Sequence, residues 1–393
     1  MFETLQPAPA DAILGLIAEF RDDPRREKID LGVGVYRNAA GETPVLEVVK
    51  KAEHRLVGTQ TSKSYIGTAG EPAFNAAMQT LAFADAVSNE RLLTIQTPGG
   101  SAALRVAAGL LLRARKEPVV WASDPTWNNH VPLLGGAGLT LKSYPYYDPD
   151  ARAVRIDAML ESLRAVDKGD IVLLHACCHN PSGIDPSAEQ WRAIGEVIVE
   201  RELVPFIDMA YQGFGTDLDA DAFAVRHLAG LVPELLLSTS CSKNFGLYRD
   251  RVGTTSILAK DSKSRGIIAS QASSLVRTLY SMPPDHGAAV VSIILNDAEL
   301  RAAWMVELAA MRERLSGMGQ LLQEALEVAA PGHDFSHLVR AKGMFCFLGV
   351  TPEQVARLKQ EFGIYMVSSS RINVAGITSS NVEYLAKSIA AVL

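Results

Sequence analysis

The sequence predicts an α/β fold, a large domain whose mostly parallel sheet is flanked by helices, joined to a smaller α/β domain. Two observations carry this. Six short apolar runs alternate with stretches of helical periodicity between residues 92 and 240. From about residue 297 the pattern changes to one long amphipathic helix followed by short strands and helices. Alternation of the first kind means βαβ units, with a sheet covered on both faces.

The first run, "LLTIQT" (92–97), precedes the helical "SAALRVAAGLLLRARK". "EPVVWA" (117–122) leads through a loop to "HVPLLGGAG". "LTLKSY" (139–144) precedes "IDAMLESLRAV". "DIVLLHA" (170–176) precedes "SAEQWRAIGEVIVERE", where Trp191, Ile194 and Ile198 recur at helical spacing. "LVPFID" (203–208) precedes "DADAFAVRHLAGL", and "ELLLSTS" (234–240) closes the series. Then "DAELRAAWMVELAAMRERLSGMGQLLQEAL" reads as the long helix, "GMFCFLGV" as a strand and "TPEQVARLKQEF" as a helix. The final helix carries Val382, Leu385, Ala386 and Ile389 on one face. The short strand in "IDLGVGVY" (29–36) is a candidate partner for this second unit. The expected division is an N-terminal arm with part of the small domain (1–45), a large domain (46–305) and a C-terminal small domain (306–393).

Composition narrows the function. The 393 residues are 48% hydrophobic and 21% charged, with a net charge of −6. No basic field covers such a chain, so nucleic acid is not an expected partner, and an acidic ligand must be held by specific cations. The four cysteines, Cys177, Cys178, Cys241 and Cys346, form no C-x-x-C, so neither a disulfide framework nor a metal site is expected. The start, "MFETLQPAPADAILGLIAEF", lacks a basic region followed by an apolar one, and no apolar run reaches membrane-spanning length. A cytoplasmic protein without membrane contact is the expectation.

In parallel α/β sheets ligands sit beyond the carboxyl ends of the strands, so the residues after each run are the candidates. Gly100 and Ser101 open a helix after the first run, and backbone N–H groups there suit an anion; a plain tight turn would look the same. Trp127 follows the second run, either as a stacking ring or as a lid on the core, and His130 is nearby. Asn180 precedes a proline after the fourth, with an amide for a ring oxygen or for an Asx turn. Asp208 ends the fifth and Tyr211 follows; a carboxylate there needs a cationic partner, or is a helix cap. Last comes "STSCSKNFGLYRDRVG", where Lys243 lies between Ser240, Ser242 and Arg251. Two hydroxyls and a guanidinium are phosphate ligands. If that phosphate belongs to a cofactor carrying an aldehyde, Lys243 could form a Schiff base with it. Pyridoxal 5′-phosphate has a group for each of these residues.

The motifs "IDLGVGVY", "QTPGGSAALR", "DPTWNNH", "LLHACCHNPSGIDP", "IDMAYQGFG", "SCSKNFGLYRDRVG", "YSMPPDHGA" and "SRINVAG" give a wider match. On them the chain resembles the class I aminotransferases of the aspartate and aromatic amino acid group, from near residue 10 to the C-terminus. The resemblance implies a fold-type I pyridoxal-phosphate enzyme, a homodimer with shared sites, acting on amino acids and 2-oxo acids. It implies that Lys243 binds the cofactor and shuttles the proton, with Asp208 on the pyridine nitrogen and His130 behind it. Asn180 and Tyr211 would hold the ring oxygen and Trp127 the ring face. Gly100, Ser101, Ser240, Ser242 and Arg251 would form the phosphate cup, joined by Tyr65 of the neighbouring subunit. Arg371, helped by backbone near Gly34, would grip the substrate α-carboxylate. Arg277 would be lent by the other subunit to a distal carboxylate. Small departures, such as Asn128 where proline is common, surround these residues. The expected activity is transamination of aromatic or dicarboxylic amino acids with 2-oxoglutarate, with a strict aspartate enzyme as the alternative and a non-catalytic sensor domain as a distant one.

Overall fold

The computed structural model of the chain describes residues 1–7 and 12–393. Its centre is a sheet of seven strands: β1 (Leu92–Pro98), β2 (Val119–Asp124), β3 (Thr140–Pro145), β4 (Ile171–His175), β5 (Val204–Met209), β6 (Leu235–Ser240) and β7 (Val252–Leu258). They lie in the order β1-β7-β6-β5-β4-β2-β3. Strands β1 to β6 match the six apolar runs and point the same way. Strand β7 was not among those runs, and it lies antiparallel between β1 and β6.

The reason β7 escapes a reading for apolar runs is visible in "VGTTSIL". It is buried throughout, yet its middle is all hydroxyl. Those hydroxyls are satisfied inside the sheet: Thr254 Oγ1 meets Thr239 Oγ1 at 2.7 Å, Ser256 Oγ meets Thr94 Oγ1 at 2.8 Å, and Thr255 Oγ1 donates to the Ala103 carbonyl at 2.7 Å. A polar side chain with a partner can be buried at little net cost.

Both sheet faces are covered, which is why the strands read as runs and not as alternations. Ile171, Leu173, Phe206 and Leu236 face one core with Leu104, Ala107 and Leu111 of the helix Gly99–Ala114. Val172, Leu174, Ile207 and Leu237 face the other, with Ile194, Val197 and Ile198 of the helix Ala188–Glu200. Ser187 and Gln190 start that second helix with a capping box. The predicted helix from Asp219 is instead two pieces, Leu218–Asp221 and Phe223–Leu231. The helices Glu47–Thr59, Pro72–Phe83, Ser262–Leu279 and His286–Asn296 were not read from the sequence.

The helix Ala298–Ala329 has 32 residues and spans about 48 Å at 1.5 Å per residue. Trp304 on it is fully buried, donates Nε1–H to the Asn244 carbonyl at 2.7 Å and stacks on Phe245 at 4.4 Å. The loop carrying Lys243 is thereby fastened to this helix. The same helix packs on Val382–Val392. Beside it Ile29–Asp30 pairs in parallel with Ile364–Tyr365, and Phe345–Phe347 pairs antiparallel with Arg371–Asn373. No described helix is long and apolar enough to cross a membrane.

Candidate active site

Strands β1 to β6 bring their carboxyl ends to one edge, and antiparallel β7 enters from that edge. Residues from 100 to 251 therefore meet there. They line a cavity of about 190 Å³ with Gly100, Ser101, Trp127, Asn180, Asp208, Tyr211, Ser240, Ser242, Lys243 and Arg251 on its walls.

One end of the cavity is built for an anion. Ser240 Oγ lies 3.0 Å from Ser242 Oγ and accepts the Ser242 N–H at 3.2 Å. Arg251 donates to Ser242 Oγ at 3.3 Å and to the Tyr248 carbonyl at 3.2 Å. Two glycines make room. A Cβ on Gly99, which has φ +78°, would lie 2.5 Å from an Arg251 nitrogen. A Cβ on Gly253, registered against both Thr97 and Ser240, would lie 2.5 Å from the Thr239 carbonyl. The helix Gly99–Ala114 begins here, so its free N–H groups and dipole add to the positive end.

The other end is a buried chain of polar groups. Asp208 Oδ2 is 3.0 Å from His130 Nε2, His130 Nδ1 is 2.8 Å from Thr126 Oγ1, and Thr126 Oγ1 is 3.1 Å from His175 Nε2. Burial pushes the Asp208 carboxyl up, but the His130 hydrogen bond and the charges of His130, His175 and Lys243 outweigh it and hold it below its ordinary value. His175 is pushed down to about 3 by burial first and then by His130. His130 lies behind the cavity wall, bonded to Asp208 on one side and through Thr126 to His175 on the other.

Lys243 projects between the two ends, its Nζ 5.1 Å from the centre of the Tyr211 ring. Burial lowers its amine from 10.5 to about 8; Asp208 raises it and Arg251 lowers it further. Burial also raises the Tyr211 hydroxyl well above its ordinary value.

Arg371 stands beside this cavity. It is 4% exposed, lies over the Phe345 ring at 4.2 Å and donates to the Gly32 carbonyl at 2.9 Å. Asn373 donates to the Val35 carbonyl at 2.9 Å and so ties the glycine segment to the arginine strand. A Cβ on Gly34 would lie 3.2 Å from Phe345. Tyr65 and Arg277 are elsewhere: both are exposed, Tyr65 at 92%, and neither lines the cavity. They share a surface region, because the Ile66 N–H reaches Met282 Sδ at 3.2 Å and Arg277 bonds Ser281 Oγ.

The donor set fits pyridoxal phosphate. A cation with two hydroxyls matches a phosphate, an ionised aspartate matches a ring nitrogen, and Trp127 offers a ring face. Arg371 Nε, a donor, is buried without a partner among the described residues. Such atoms are costly unless a ligand completes them. Leu104, His175, Cys177 and Ala210 also line the cavity and were missed. His175 lies inside an apolar run, and only its neighbours in space mark it.

The family model for aminotransferase class I and II matches residues 26–389. The aspartate aminotransferase of Escherichia coli (strain K12) is 46% identical, with 100% of both chains covered. The aromatic-amino-acid aminotransferase of Pseudomonas aeruginosa is also 46% identical, covering 100% of this chain and 98% of its own. The crystal structure of the Burkholderia pseudomallei aromatic-amino-acid aminotransferase, covalently bound to pyridoxal phosphate, matches with a TM-score of 0.97 at 42% identity, over 100% of this chain and 99% of its own. This chain belongs to the class I and II aminotransferases.

Proposed function

We propose that this aminotransferase moves amino groups between aromatic amino acids (phenylalanine, tyrosine) or dicarboxylic ones (aspartate, glutamate) and 2-oxoglutarate, with pyridoxal 5′-phosphate as cofactor. The observation that carries this is Lys243, a buried amine loosened to about 8 between an anion cup and the Asp208–His130 pair. The equal identity to an aspartate and an aromatic enzyme supports the mixed range.

Gly100, Ser101, Ser240, Ser242 and Arg251 would hold the phosphate, Trp127 the ring face, and Asn180 and Tyr211 the ring oxygen. Bound there, the cofactor supplies a carbonyl carbon that joins to an amine and a ring that takes up the electron pair left at Cα. The chain supplies the rest. Asp208, kept ionised by His130, holds a proton at the ring nitrogen. Arg371 forks onto the α-carboxylate of the amino acid; its planar donors suit a carboxylate, and its empty Nε faces no other partner among the described residues. Lys243 Nζ takes the proton from Cα. At about 8 it is neutral in roughly a tenth of molecules at pH 7, against about one in three thousand for an ordinary lysine. The same residues serve the second substrate in reverse, so ping-pong kinetics follow.

Tyr65 and Arg277 enter this scheme only from a second copy. A homodimer with shared sites is therefore part of the proposal, with Tyr65 reaching the partner's phosphate and Arg277 its distal carboxylate. A cytoplasmic setting fits the four cysteines, all free.

Purified, cofactor-loaded protein is mixed with aspartate, glutamate, phenylalanine, tyrosine and tryptophan in turn, and the visible cofactor absorbance is followed. Loss of the band with an aromatic and a dicarboxylic acid supports the reading; no loss with any of the five overturns it. Borohydride reduction must mark Lys243, and sedimentation must give a dimer.

A further inference from the structure

The two proposed ligands of the cofactor ring oxygen, Asn180 and Tyr211, lie on loops beyond β4 and β5. A loop side chain is placed only as well as its backbone is held. Each of these loops is held by a carboxylate that takes no part in the cavity wall.

Asp185 accepts the N–H of Cys178 at 2.7 Å and of His179 at 2.8 Å, the two residues that precede Asn180. Asp221 is 4% exposed and accepts the N–H of Gly213 at 2.8 Å, Gly215 at 2.8 Å and Thr216 at 2.9 Å, just after Tyr211. The thiols of Cys177 and Cys178 lie between the loops, within 4.8 Å of Asp221. Lys342 spans both sides. Its backbone N–H donates to the Gly183 carbonyl at 2.7 Å and its Nζ to Thr216 Oγ1 at 2.7 Å. It also stands three residues before Phe345, on the strand that pairs with Arg371.

Burying acids this way is expensive. Burial pushes the Asp185 carboxyl up to about 6 and raises Asp221 as well, while the backbone N–H groups and Lys342 pull both down. A serine could close a single turn at less cost, but it has no second oxygen to accept the further N–H groups that each carboxylate takes. Five charge-assisted bonds fix five peptide planes, all next to the two ring-oxygen ligands.

We infer that Asp185 and Asp221 are positioning residues of the transamination site, setting the loop backbones from which Asn180 and Tyr211 reach the ring oxygen, with Lys342 linking both to the Arg371 strand. This rests on the cofactor reading above and adds residues to it.

Donors on the ring oxygen share its negative charge. When they retreat, the proton on the Lys243 nitrogen is the charge's remaining neighbour and is held to higher pH. The test is the pH midpoint of the visible absorbance of the cofactor-loaded protein, with Tyr211→Phe as reference. Asp221→Asn and Asp185→Asn are expected to raise it by about one pH unit, a tenfold change in proton affinity, with Tyr211→Phe moving it the same way. A purely structural role would lower Tm and leave the midpoint in place. If Tyr211→Phe moves the midpoint and neither Asp variant does, the positioning role is overturned and the cofactor reading stands. If Tyr211→Phe leaves it unmoved, both fall. Should the Asp variants not fold, Gly215→Ala decides, since its added Cβ would lie 2.5 Å from Asp221 Oδ1 and displace the carboxylate with its charge intact. An unmoved midpoint in that variant overturns the inference.

Discussion

Lys243→Met in the cofactor-free protein is expected to make the fold more stable at neutral pH. The folded-state amine titrates at about 8 and the unfolded one at 10.5. Below pH 8 the lysine is charged in both states, and the cost of burying that charge is felt in full. Between 8 and 10.5 the folded protein releases its proton first, so the unfolded chain binds more protons and stability rises with pH. Above 10.5 both are neutral and the cost is gone. The full span corresponds to about 3 kcal/mol at 1.36 kcal/mol per pH unit, trimmed to about 2 kcal/mol by solvent entering the cavity. Methionine keeps the length of the chain and drops the charge. Urea unfolding of both proteins, free of cofactor, at pH 7 and pH 9.5 measures this. The variant leads by about 2 kcal/mol at pH 7, and the gap falls to roughly half at pH 9.5. A variant equal to or weaker than wild type at pH 7, or a gap independent of pH, would refute the reading of Lys243 as a desolvated amine. The expected outcome is a residue held for activity at the expense of stability.

Three further outcomes test the site. Asp208→Ala lowers kcat by about 100–1,000-fold, the range for losing one preorganised charge partner; near-normal turnover removes Asp208 from the mechanism. Arg371→Lys weakens kcat/KM for every amino acid alike, because a point charge cannot make the planar fork; a loss confined to aspartate and glutamate would mean that the two arginines have exchanged roles. Arg277→Leu cuts kcat/KM for aspartate far more than for phenylalanine, since an aromatic ring offers the guanidinium no charge; equal losses, or a wild type inactive on phenylalanine and tyrosine, would end the dual-substrate reading.

The sheet was legible where burial on both faces leaves an apolar run, as in β4 and β6. It was illegible in β7, because Thr254, Thr255 and Ser256 are buried by pairing their hydroxyls with partners distant in sequence. The wall of the candidate site could be found because ligand residues follow strand ends. The wall residue His175 and the carboxylates behind the wall could not. His175 reads as one more residue of "DIVLLHA", and only the fold brings it to Thr126, 49 positions away. Asp185 and Asp221 stand in "SGIDP" and "LDADAF", where an aspartate is ordinary as a turn or cap residue.

The place of β1 bears on how the chain is made. It is an edge strand whose one neighbour in the sheet is β7, and Val252 follows Pro98 by 154 residues. At ordinary rates of synthesis about 8 to 30 s pass between the appearance of one and the other. For all that time "LLTIQTP" has no neighbouring strand, although six of its seven residues are destined for the interior. An unpaired apolar strand is a template for pairing with another nascent chain. A chain that ends before residue 252 therefore leaves this edge bare, and Gly253 is not there to join Thr97 to Ser240 beside the anion cup.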